Sequence, residues 1–274
     1  MATAWVNGRF LDGSEGIAPE DLGFLQGVGA FETLGARAGD VPLFDLHLRR
    51  LAGAAQRLAI RFAPIPELRA RAAEVLARNG LPDGVLRITL TAGVADAPTW
   101  CLSARAREPG RVPVQLAVSA LRRSASDPTA ALKTTSYAFH VLARRAARAA
   151  GADDALLLDA EGDLAETSTG NVFLFREGVW CTPRADGALV PGIARSVLLQ
   201  ALSERGRAAY EGKFPLEQVL ESDTVVVTNA VHGPRPALVP GGPRPEDDLV
   251  AELVAMWERA LAAAARGAGG GGGA

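Results

Sequence analysis

Residues 131–171 decide the fold of this chain. They open on Ala131-Leu132-Lys133-Thr134-Thr135-Ser136-Tyr137 and close on Glu166-Thr167-Ser168-Thr169-Gly170-Asn171. Of the 29 basic residues, only Lys133 and Lys213 are lysines, and the others are arginines. A lysine amine forms a Schiff base with a carbonyl once it loses its proton, whereas a guanidinium stays charged. The retained Lys133 therefore indicates a covalent role, and an ordinary surface lysine is the alternative.

The sequence around each lysine distinguishes a covalent role from that of a surface lysine. Lys213 lies in the polar turn Glu211-Gly212-Lys213-Phe214, which favours a solvated point charge. Lys133 follows a small apolar step and precedes three hydroxyl residues. Glu166 ends a predicted strand, and a carboxylate beside a pyridine nitrogen keeps that nitrogen protonated, so that the ring can accept electrons. A water-exposed acid at a strand end is the alternative for Glu166.

Hydrophobic periodicity predicts a mixed α/β chain. In the first half it predicts a hairpin in residues 4–12, a glycine-rich passage over 23–34 that turns into a strand, helices from Asp45 and over 66–80, and strands over 85–91 and 112–118 with a loop containing Trp100 between them. In the second half it predicts helices over 136–150, 192–204, 216–221 and 246–266, and strands over 154–159, 163–166, 171–176, 179–182 and 224–228. The glycine-rich passage lacks the Gly-Lys-Ser/Thr ending of a phosphate loop.

Composition shifts divide the chain. We expect a smaller N-terminal α/β domain over residues 1–118, a polar and basic linker over 119–130, and a larger C-terminal domain over 131–266. Residues 267–274 are nearly all glycine and are expected to be disordered, since they offer little surface to bury.

Composition also narrows the classes of function. The chain has 274 residues, 48% of them hydrophobic, and a net charge of −2. Acidic residues lie between the arginines, which disfavours a nucleic-acid partner, and no apolar run predicts a membrane span or a signal core, so we expect a cytoplasmic protein. Cys101 and Cys181 have no metal-ligand spacing, so we expect two reduced thiols and no metal site.

Three places along the chain are candidates for phosphate binding. Gly192-Ile193-Ala194-Arg195 starts a predicted helix, whose N-terminal N–H groups favour an anion. Arg50 offers a guanidinium, and Thr228-Asn229 offers a hydroxyl and an amide. Taken singly, each is also consistent with a turn, a helix face or a strand end.

These stretches, taken in order, resemble the class IV aminotransferases among the fold-type IV pyridoxal phosphate proteins, the branch of D-amino acid aminotransferases and aminodeoxychorismate lyases. The resemblance runs from about Trp5 to Pro240. It rests on the segments Gly27-Val28-Gly29-Ala30-Phe31-Glu32-Thr33, His47-Leu48-Arg49-Arg50-Leu51, Lys133-Thr134-Thr135-Ser136-Tyr137, Glu166-Thr167-Ser168-Thr169-Gly170-Asn171, Pro191-Gly192-Ile193 and Thr228-Asn229-Ala230.

The resemblance implies a two-domain fold like that of D-amino acid aminotransferase, a homodimer, and pyridoxal 5′-phosphate (PLP) as cofactor. It assigns Lys133 to the Schiff base and the proton transfer, Glu166 to the pyridine nitrogen and Tyr137 to the ring hydroxyl. Further expected cofactor contacts are Arg50, Ser168, Thr169, Asn171, Gly192, Ile193, Ala194, Thr228 and Asn229. Expected substrate contacts are Phe31, Thr33, Ala92 and Ala97.

The sequence departs from the family pattern at two places. Ala194 stands where many members have a threonine, so backbone amides would hold the phosphate there. Members of both branches commonly carry an arginine in the loop that this chain fills with Ala92-Gly93-Val94-Ala95-Asp96-Ala97-Pro98, which contains no base.

The missing base bears on the reaction. It favours a transaminase with altered carboxylate recognition, which moves an amino group between a D-amino acid or (R)-configured primary amine and a keto acid. The alternative is 4-amino-4-deoxychorismate lyase, which eliminates pyruvate to leave 4-aminobenzoate, and a third possibility is a non-catalytic PLP carrier. An arginine from elsewhere in the fold is the alternative source of the cation.

Overall fold

The computed structural model describes residues 2–12, 16–207 and 209–269. The chain forms two compact units, and both contain helices and strands, which confirms the α/β class. The first unit comprises Met1–Glu108, Leu132–Ser136 and Leu261–Ala274, and the second comprises Pro109–Ala131 and Tyr137–Ala260. Within the described ranges, no helix has both the length and the apolar character needed to cross a bilayer.

The first unit contains an antiparallel sheet of five strands, with two longer helices and a short one. The strands are β1 (Thr3–Val6), β2 (Arg9–Asp12), β3 (Gly29–Gly35), β4 (Val85–Val94) and β5 (Ala97–Arg105), in the spatial order β2-β1-β5-β4-β3. The helices are α1 (Leu22–Leu25), α2 (Phe44–Arg57) and α3 (Leu68–Arg78).

The two faces of this sheet differ because side chains alternate along a strand. One face of β3 and β4 contributes Leu34, Leu86, Ile88 and Leu90 to the hydrophobic core, where Leu51 of α2 also lies. Phe31, Thr33, Arg87 and Thr89 occupy the alternate positions of the same strands. The sheet therefore has an apolar face toward the helices and a face that carries polar side chains.

The segment with Trp100 is a strand and not the predicted loop. Trp100 and Leu102 are buried in the core, and β5 pairs with β4 through a turn at Ala95 and Asp96, both of which have positive φ angles. The alanines and the proline weaken the alternation of apolar and polar residues in the sequence of β5, whereas its side chains alternate in burial around Trp100 and Leu102. The base-free stretch from Ala92 to Pro98 is accordingly the tip of a β-hairpin.

The second unit contains a mixed sheet of eight strands. They are β6 (Val114–Arg123), β7 (Asp154–Asp159), β8 (Leu164–Thr167), β9 (Asn171–Arg176), β10 (Val179–Pro183), β11 (Tyr210–Gly212), β12 (Thr224–Asn229) and β13 (Gly233–Leu238), in the order β11-β10-β9-β12-β13-β6-β7-β8. The helices are α4 (Ala138–Ala149), α5 (Ile193–Glu204), α6 (Leu216–Leu220) and α7 (Asp247–Gly269), of which α7 belongs to this unit as far as Ala260.

The predicted elements of the second half agree with these bounds to within two residues at the strands and to within three at the helix ends. The sequence did not predict β11 or β13. Pro234 and Pro236 lie in β13, and proline cannot donate to a ladder, so this segment lacks the usual sequence pattern of a strand. The strand forms because residues 233–236 pair with β12 and residues 237 and 238 pair with β6.

The compact units divide the chain differently from the predicted domain boundaries. Residues 119–123 of the expected linker continue β6, and Pro109–Ala131 belongs to the second unit. Leu132–Ser136 belongs to the first unit. The expected disordered tail began at residue 267, whereas α7 extends to Gly269, and residues 270–274 lie outside the described part of the chain.

Candidate active site

Lys133 lies beside β3 although about 100 residues separate them in sequence. The Phe31 N–H donates to the Lys133 carbonyl at 2.9 Å, the Thr135 N–H donates to the Gly29 carbonyl at 2.8 Å, and Thr134 forms an antiparallel bridge with Ala30. Because β3 is the last strand of its sheet, its outer edge is open to this segment. The backbone pairing fixes where the half-buried Lys133 side chain begins.

Gly27 allows the residues after Lys133 to approach the chain before β3. Its φ is +70°, and a Cβ built there would lie 2.2 Å from Ser136 Oγ. Thr135 Oγ1 donates to the Gly27 carbonyl at 2.8 Å. A side chain at position 27 would therefore disturb the lysine segment. The glycine-rich passage thus serves tight turns into a strand, as predicted.

Phe31 carries two cations on its ring. The Lys133 Nζ lies 4.6 Å from the ring centroid, and the Arg87 Cζ lies 3.7 Å from it. Arg87 reaches the ring from β4, and its Nε also donates to Thr89 Oγ1 at 3.2 Å. The aromatic face attracts both positive groups and holds them in one neighbourhood of the first unit.

Lys213 is in a different electrostatic state. Its amine contacts the Glu161 carboxylate and lies 3.8 Å from Asp163 Oδ2. The hydrogen bond to Glu161 raises the pKa of Lys213 above its ordinary value. Lys213 therefore stays protonated and is a poor nucleophile, as its polar turn predicted.

Glu32, on the core side of β3, organises Arg50. Its carboxylate is 1% exposed and accepts from Arg50 Nε at 2.8 Å and Arg50 Nη2 at 2.6 Å, while His47 Nδ1 lies 2.6 Å from Oε2. Burial opposes ionisation of Glu32, but Arg50 and His47 together lower its pKa to about 2. Burial also lowers the pKa of His47. The Arg50 guanidinium is thus oriented by a buried bidentate ion pair, whereas Arg49 points outward and is exposed.

Glu166, in the second unit, is a buried carboxylate with three partners. Oε1 lies 3.2 Å from His140 Nε2 and 3.4 Å from Arg123 Nε, and Oε2 accepts the Val190 N–H at 3.1 Å. Arg123 is itself held by the carbonyls of Ala130 and Ala188. A buried carboxylate without such partners would favour its neutral form.

Tyr137 is next to this carboxylate. Its hydroxyl donates to the Ser168 carbonyl at 3.1 Å, and its ring stacks on the His140 ring with centroids 4.1 Å apart. Burial, reinforced by the charges of Glu166 and Asp154, raises the pKa of Tyr137 above its ordinary value. Tyr137 therefore remains a neutral phenol that can donate a hydrogen bond.

The hydroxyls of Ser168 and Thr169 are directed to Asp154, a buried residue that the sequence did not single out. Each donates to one oxygen of that carboxylate. Because an ionised carboxylate only accepts, the protons of both hydroxyls are committed to it. Any contact from Ser168 or Thr169 to a ligand therefore uses an oxygen lone pair or the backbone.

Thr228 and Asn171 are direct partners across β12 and β9. Asn171 Nδ2 donates to the Val190 carbonyl at 3.0 Å. Thr228 Oγ1 is buried and has no hydrogen-bond partner among the described residues. A buried hydroxyl without a partner is costly, so this atom indicates a ligand.

Gly192 is the N-cap of α5 and lacks a side-chain cap. A Cβ at this position would lie 2.0 Å from Asn171 Oδ1, so only glycine lets the helix begin here against Asn171. Ile193 and Ala194 follow in the first turn and are buried. Ala194 brings no hydroxyl, so residues 192–194 offer backbone N–H groups alone. Asn229 is occupied otherwise, because its Oδ1 accepts the N–H groups of Val231 and His232.

The four predicted substrate contacts do not share one surface. Phe31 and Thr33 lie on the face of β3 that also carries Arg87, whose partner across the ladder is Thr33. Ala92 packs against the hydrophobic core of the first unit, and Ala97 is an exposed residue at the start of β5. The structure therefore brings Phe31 and Thr33 together and leaves Ala92 and Ala97 apart from them.

Sequence reasoning missed Arg87, Glu32, Arg123, His140 and Asp154. It found no cation in the loop after the β4 strand and left open an arginine from elsewhere without naming one, whereas Arg87 lies within that strand and is in register with Thr33. Alternation along β4 was the available signal, because Arg87 interrupts a run of apolar residues and threonines. Arg123 was assigned to a solvated linker and is instead 6% exposed.

The second unit fits a group with a phosphate and a protonated ring nitrogen. The unpartnered Thr228 hydroxyl and the uncapped start of α5 suit a phosphate, since both present donors. The Glu166 carboxylate suits a cationic N–H. In the first unit, the Lys133 amine suits a carbonyl.

Comparison with known proteins agrees with these observations. Residues 29–238 match the family model described as amino-transferase class IV. A putative branched-chain-amino-acid aminotransferase of Methanocaldococcus jannaschii is 30% identical over 239 residues, covering 82% of this chain and 83% of that protein. An aminodeoxychorismate lyase of Bacillus subtilis is 28% identical over 242 residues, covering 83% of each. A D-alanine aminotransferase of Listeria innocua is 26% identical over 239 residues, covering 82% of each.

Solved structures share the fold. A fold IV-transaminase of Curtobacterium pusillum superposes with a TM-score of 0.80 at 25% identity, covering 91% of this chain and 93% of that one. A hypothetical aminotransferase of Mycobacterium tuberculosis in its PLP-bound form superposes with a TM-score of 0.85 at 21% identity, covering 96% and 99%. The expected family and the expected fold are therefore both confirmed.

The Glu32 ion pair predicts how stability depends on pH. Because the folded state lowers the pKa of Glu32 from 4.5 to about 2, its contribution is present above pH 4.5 and is lost as the pH falls toward about 2. We expect Glu32→Gln to lower the free energy of unfolding at neutral pH, and the difference from the wild type to narrow below pH 4.5. Urea unfolding at a series of pH values measures this. A difference that stays constant as the solution is acidified contradicts the assignment.

Proposed function

We infer that this chain, which belongs to the class IV aminotransferase family, moves an amino group between a D-amino acid or an (R)-configured primary amine and a 2-keto acid. Family membership rests on the match over residues 29–238. Class IV aminotransferases use PLP and act on amino acid and keto acid substrates. The choice of D-amino acids and (R)-amines is the finer part of the proposal.

The single observation that carries the proposal is the pair of cations on Phe31. The Lys133 amine lies 4.6 Å and the Arg87 guanidinium 3.7 Å from the ring centroid. In an amino acid, the amine-bearing carbon is bonded directly to the carboxylate, and in a 2-keto acid the carbonyl carbon is. A reactive amine with a neighbouring guanidinium suits both substrates, because Arg87 can bind the carboxylate while Lys133 acts at the adjacent carbon.

The proposed roles follow from the chemistry of each side chain. PLP, when bound, supplies a ring that accepts the electron pair left at the substrate α-carbon. Lys133 binds the cofactor covalently and then takes and returns the α-proton as a general base and acid. Glu166 holds the pyridine N–H with its carboxylate. Tyr137, a neutral phenol whose O–H donates to the Ser168 carbonyl, presents an oxygen lone pair to the ring hydroxyl.

Phosphate binding is proposed for donors in each unit. In the second unit these are Thr228 Oγ1 and the backbone N–H groups of Gly192, Ile193 and Ala194, with Asn171 supporting the start of α5. In the first unit it is Arg50, whose guanidinium Glu32 orients. Ser168, Thr169 and Asn229 are proposed to line the cofactor, without donating their side-chain protons to it.

Acceptance of (R)-amines follows from the β4–β5 hairpin. Its tip, residues 92–98, contains no base, so a substrate group that lies there meets no cation from that segment. A substrate that has an apolar substituent there, and no carboxylate, therefore loses little binding energy. Thr33, on the same face as Phe31 and Arg87, is the proposed further substrate contact in the first unit.

The lyase is the second candidate. It is favoured by the Bacillus subtilis relative, which is 28% identical over 83% of this chain. A lyase and a transaminase both begin with removal of a proton by the lysine, so Lys133 and Glu166 serve either reaction. They differ in whether the enzyme requires a keto acid to complete its cycle.

We also propose that the protein is a cytoplasmic homodimer. Phe24 and Leu25, both in the short helix α1, are 74% and 59% exposed, and a second copy would cover such apolar side chains. Cys101 and Cys181 are both free thiols, as expected in a reducing compartment. Light scattering on the purified protein decides between one chain and two.

The first prediction for this function concerns Lys133. Borohydride reduction of the PLP-loaded protein should fix the cofactor on Lys133, because the amine of Lys213 is kept protonated by Glu161. Lys133→Arg should keep the fold but lose turnover by more than about a thousandfold, since the covalent bond and the proton transfer are both removed. Peptide mapping locates the adduct, and an adduct on Lys213 contradicts the proposal.

The second concerns the arginine pair of α2. Arg50→Ala should release PLP more readily than Arg49→Ala, because Arg50 is oriented by Glu32 whereas Arg49 is exposed on another side of the helix. The Arg49 variant is the matched control, since it removes the same side chain from the neighbouring position. PLP dissociation constants measured by titration of the apoproteins should differ by about tenfold or more. Equal constants would remove Arg50 from phosphate binding.

The third concerns the reaction and its substrate. D-alanine without a keto acid should bleach the absorption of the PLP-loaded enzyme, and pyruvate or 2-oxoglutarate should restore it. Arg87→Leu should lower kcat/KM for D-alanine by about a hundredfold, and for (R)-1-phenylethylamine by less than about threefold, because only the amino acid has a carboxylate for Arg87 to bind.

Other outcomes of that experiment identify the alternatives. Conversion of L-leucine or L-valine in place of D-alanine would overturn the proposed stereochemistry. Release of pyruvate and 4-aminobenzoate from aminodeoxychorismate, with a spectrum that amines leave unchanged, would identify the lyase. Equal losses for both amines in Arg87→Leu would show that Arg87 does not recognise the carboxylate.

A further inference from the structure

His140 is a buried polar residue that the roles above leave unexplained. It lies in the first turn of α4 and is 5% exposed. Its ring is parallel to that of Tyr137, at 4.1 Å between centroids and 7° between planes, and Phe139 contacts its edge. Its Nε2 lies 3.2 Å from Glu166 Oε1. It therefore touches two residues with proposed roles at the cofactor.

The ring nitrogens of His140 differ in their surroundings. Nδ1 is buried and has no hydrogen-bond partner among the residues that the structure describes. An N–H at that atom would be a buried donor without an acceptor, which is costly, whereas a bare acceptor there costs less. The geometry thus places a ring hydrogen on Nε2. That hydrogen can only be donated toward the Glu166 carboxylate.

The positive charge of Arg123 lies near the same oxygen, Glu166 Oε1, as an ion-pair partner and not as a hydrogen-bond donor. Its Nε donates to the Ala188 carbonyl at 3.1 Å and is 3.4 Å from Glu166 Oε1, an ion-pair distance. Arg123 therefore stabilises the ionised carboxylate, and His140 donates the hydrogen bond to Oε1. Val190 donates to Oε2.

These contacts leave Glu166 with one defined direction for a further donor. An ionised carboxylate has about four acceptor positions, two on each oxygen. His140 takes one position on Oε1, and the Arg123 guanidinium, whose Nε already donates to Ala188, lies 3.4 Å from the same oxygen as an ion-pair partner. The Val190 N–H takes one position on Oε2. The other position on Oε2 faces no cation among the described residues and is the one open to a further donor. Rotation of the Glu166 carboxylate would turn this open position aside, and it would also break the His140 and Val190 hydrogen bonds.

We propose that His140 is a positioning residue for Glu166, which uses its Nε2–H to fix the carboxylate so that Oε2 faces the donor of the cofactor ring. The inference rests on the proposed function, in which Glu166 binds the pyridine nitrogen. The hydrogen-bond donor of His140 orients Glu166, and the stacking of its ring on Tyr137 does not.

Two substitutions separate the donor from the ring. His140→Phe keeps an aromatic ring against Tyr137 and removes the donor. His140→Gln loses the ring and places an amide N–H at a reach similar to that of Nε2. Thermal unfolding of each apoprotein checks that the variants fold, and Glu166→Gln provides the reference for loss of the carboxylate charge.

We expect His140→Phe to lower kcat by about tenfold and to weaken PLP binding, because a hydrogen bond to a charged group is lost. KM for the amine should stay within about twofold, since His140 does not touch the substrate. His140→Gln should recover most of kcat and of PLP affinity. The readouts are steady-state kinetics and PLP dissociation constants from titration of the apoproteins.

Three results would overturn the proposal. Equal losses in His140→Phe and His140→Gln would assign the effect to packing of the ring. Wild-type kcat and PLP affinity in His140→Phe, together with a large loss in Glu166→Gln, would remove His140 and leave the proposed function intact. Wild-type behaviour in both His140→Phe and Glu166→Gln would overturn the role of Glu166, and with it that of His140.

Discussion

The first unit depends on the pairing of residues 132–136 with the open edge of β3. Two backbone hydrogen bonds, from Phe31 to Lys133 and from Thr135 to Gly29, hold a lysine from the middle of the chain beside its N-terminal sheet. Backbone donors buried without partners would be costly, so this pairing serves the stability of the sheet edge as well as the placement of the lysine. Gly27 is needed for the same reason, because the Ser136 hydroxyl occupies the space that its side chain would fill.

Buried charges follow one rule in both units. Glu32 is neutralised by Arg50, and Glu166 by Arg123, and each carboxylate also has a histidine within hydrogen-bonding distance. Removing a charge from water is costly unless a partner and hydrogen bonds replace the water. Glu32 orients Arg50, which has a proposed role at the cofactor, and Glu166 has such a role itself and is positioned by His140. Stability and function therefore rest on the same contacts, and a change in either carboxylate affects both.

Much of the fold was predictable because its signals are local. The bounds of β7 and β9 follow from apolar runs that end in turns, and the glycine-rich passage before β3 follows from the freedom of glycine. The strands β5 and β13 were not predictable in this way. Trp100 is buried against core residues distant in sequence, such as Phe62, and the prolines of β13 are tolerated only because of how that strand pairs. The continuation of β6 into residues 119–123 was hidden for a related reason, since Arg123 is charged and yet buried.

The candidate site divides in the same manner. Residues that belong to motifs, such as Lys133, Glu166 and Thr228, could be named from the sequence, whereas their supporting partners could not. Arg87, His140 and Asp154 are ordinary residues of a strand or helix until the fold gives them neighbours. The position of Arg87 is the most consequential, because a cation on a strand is held by the sheet, whereas one on a hairpin tip moves with the hairpin. The proposed carboxylate recognition by Arg87 would leave the tip free to vary in sequence, and a base-free tip is compatible with the amino acid and keto acid substrates of the family.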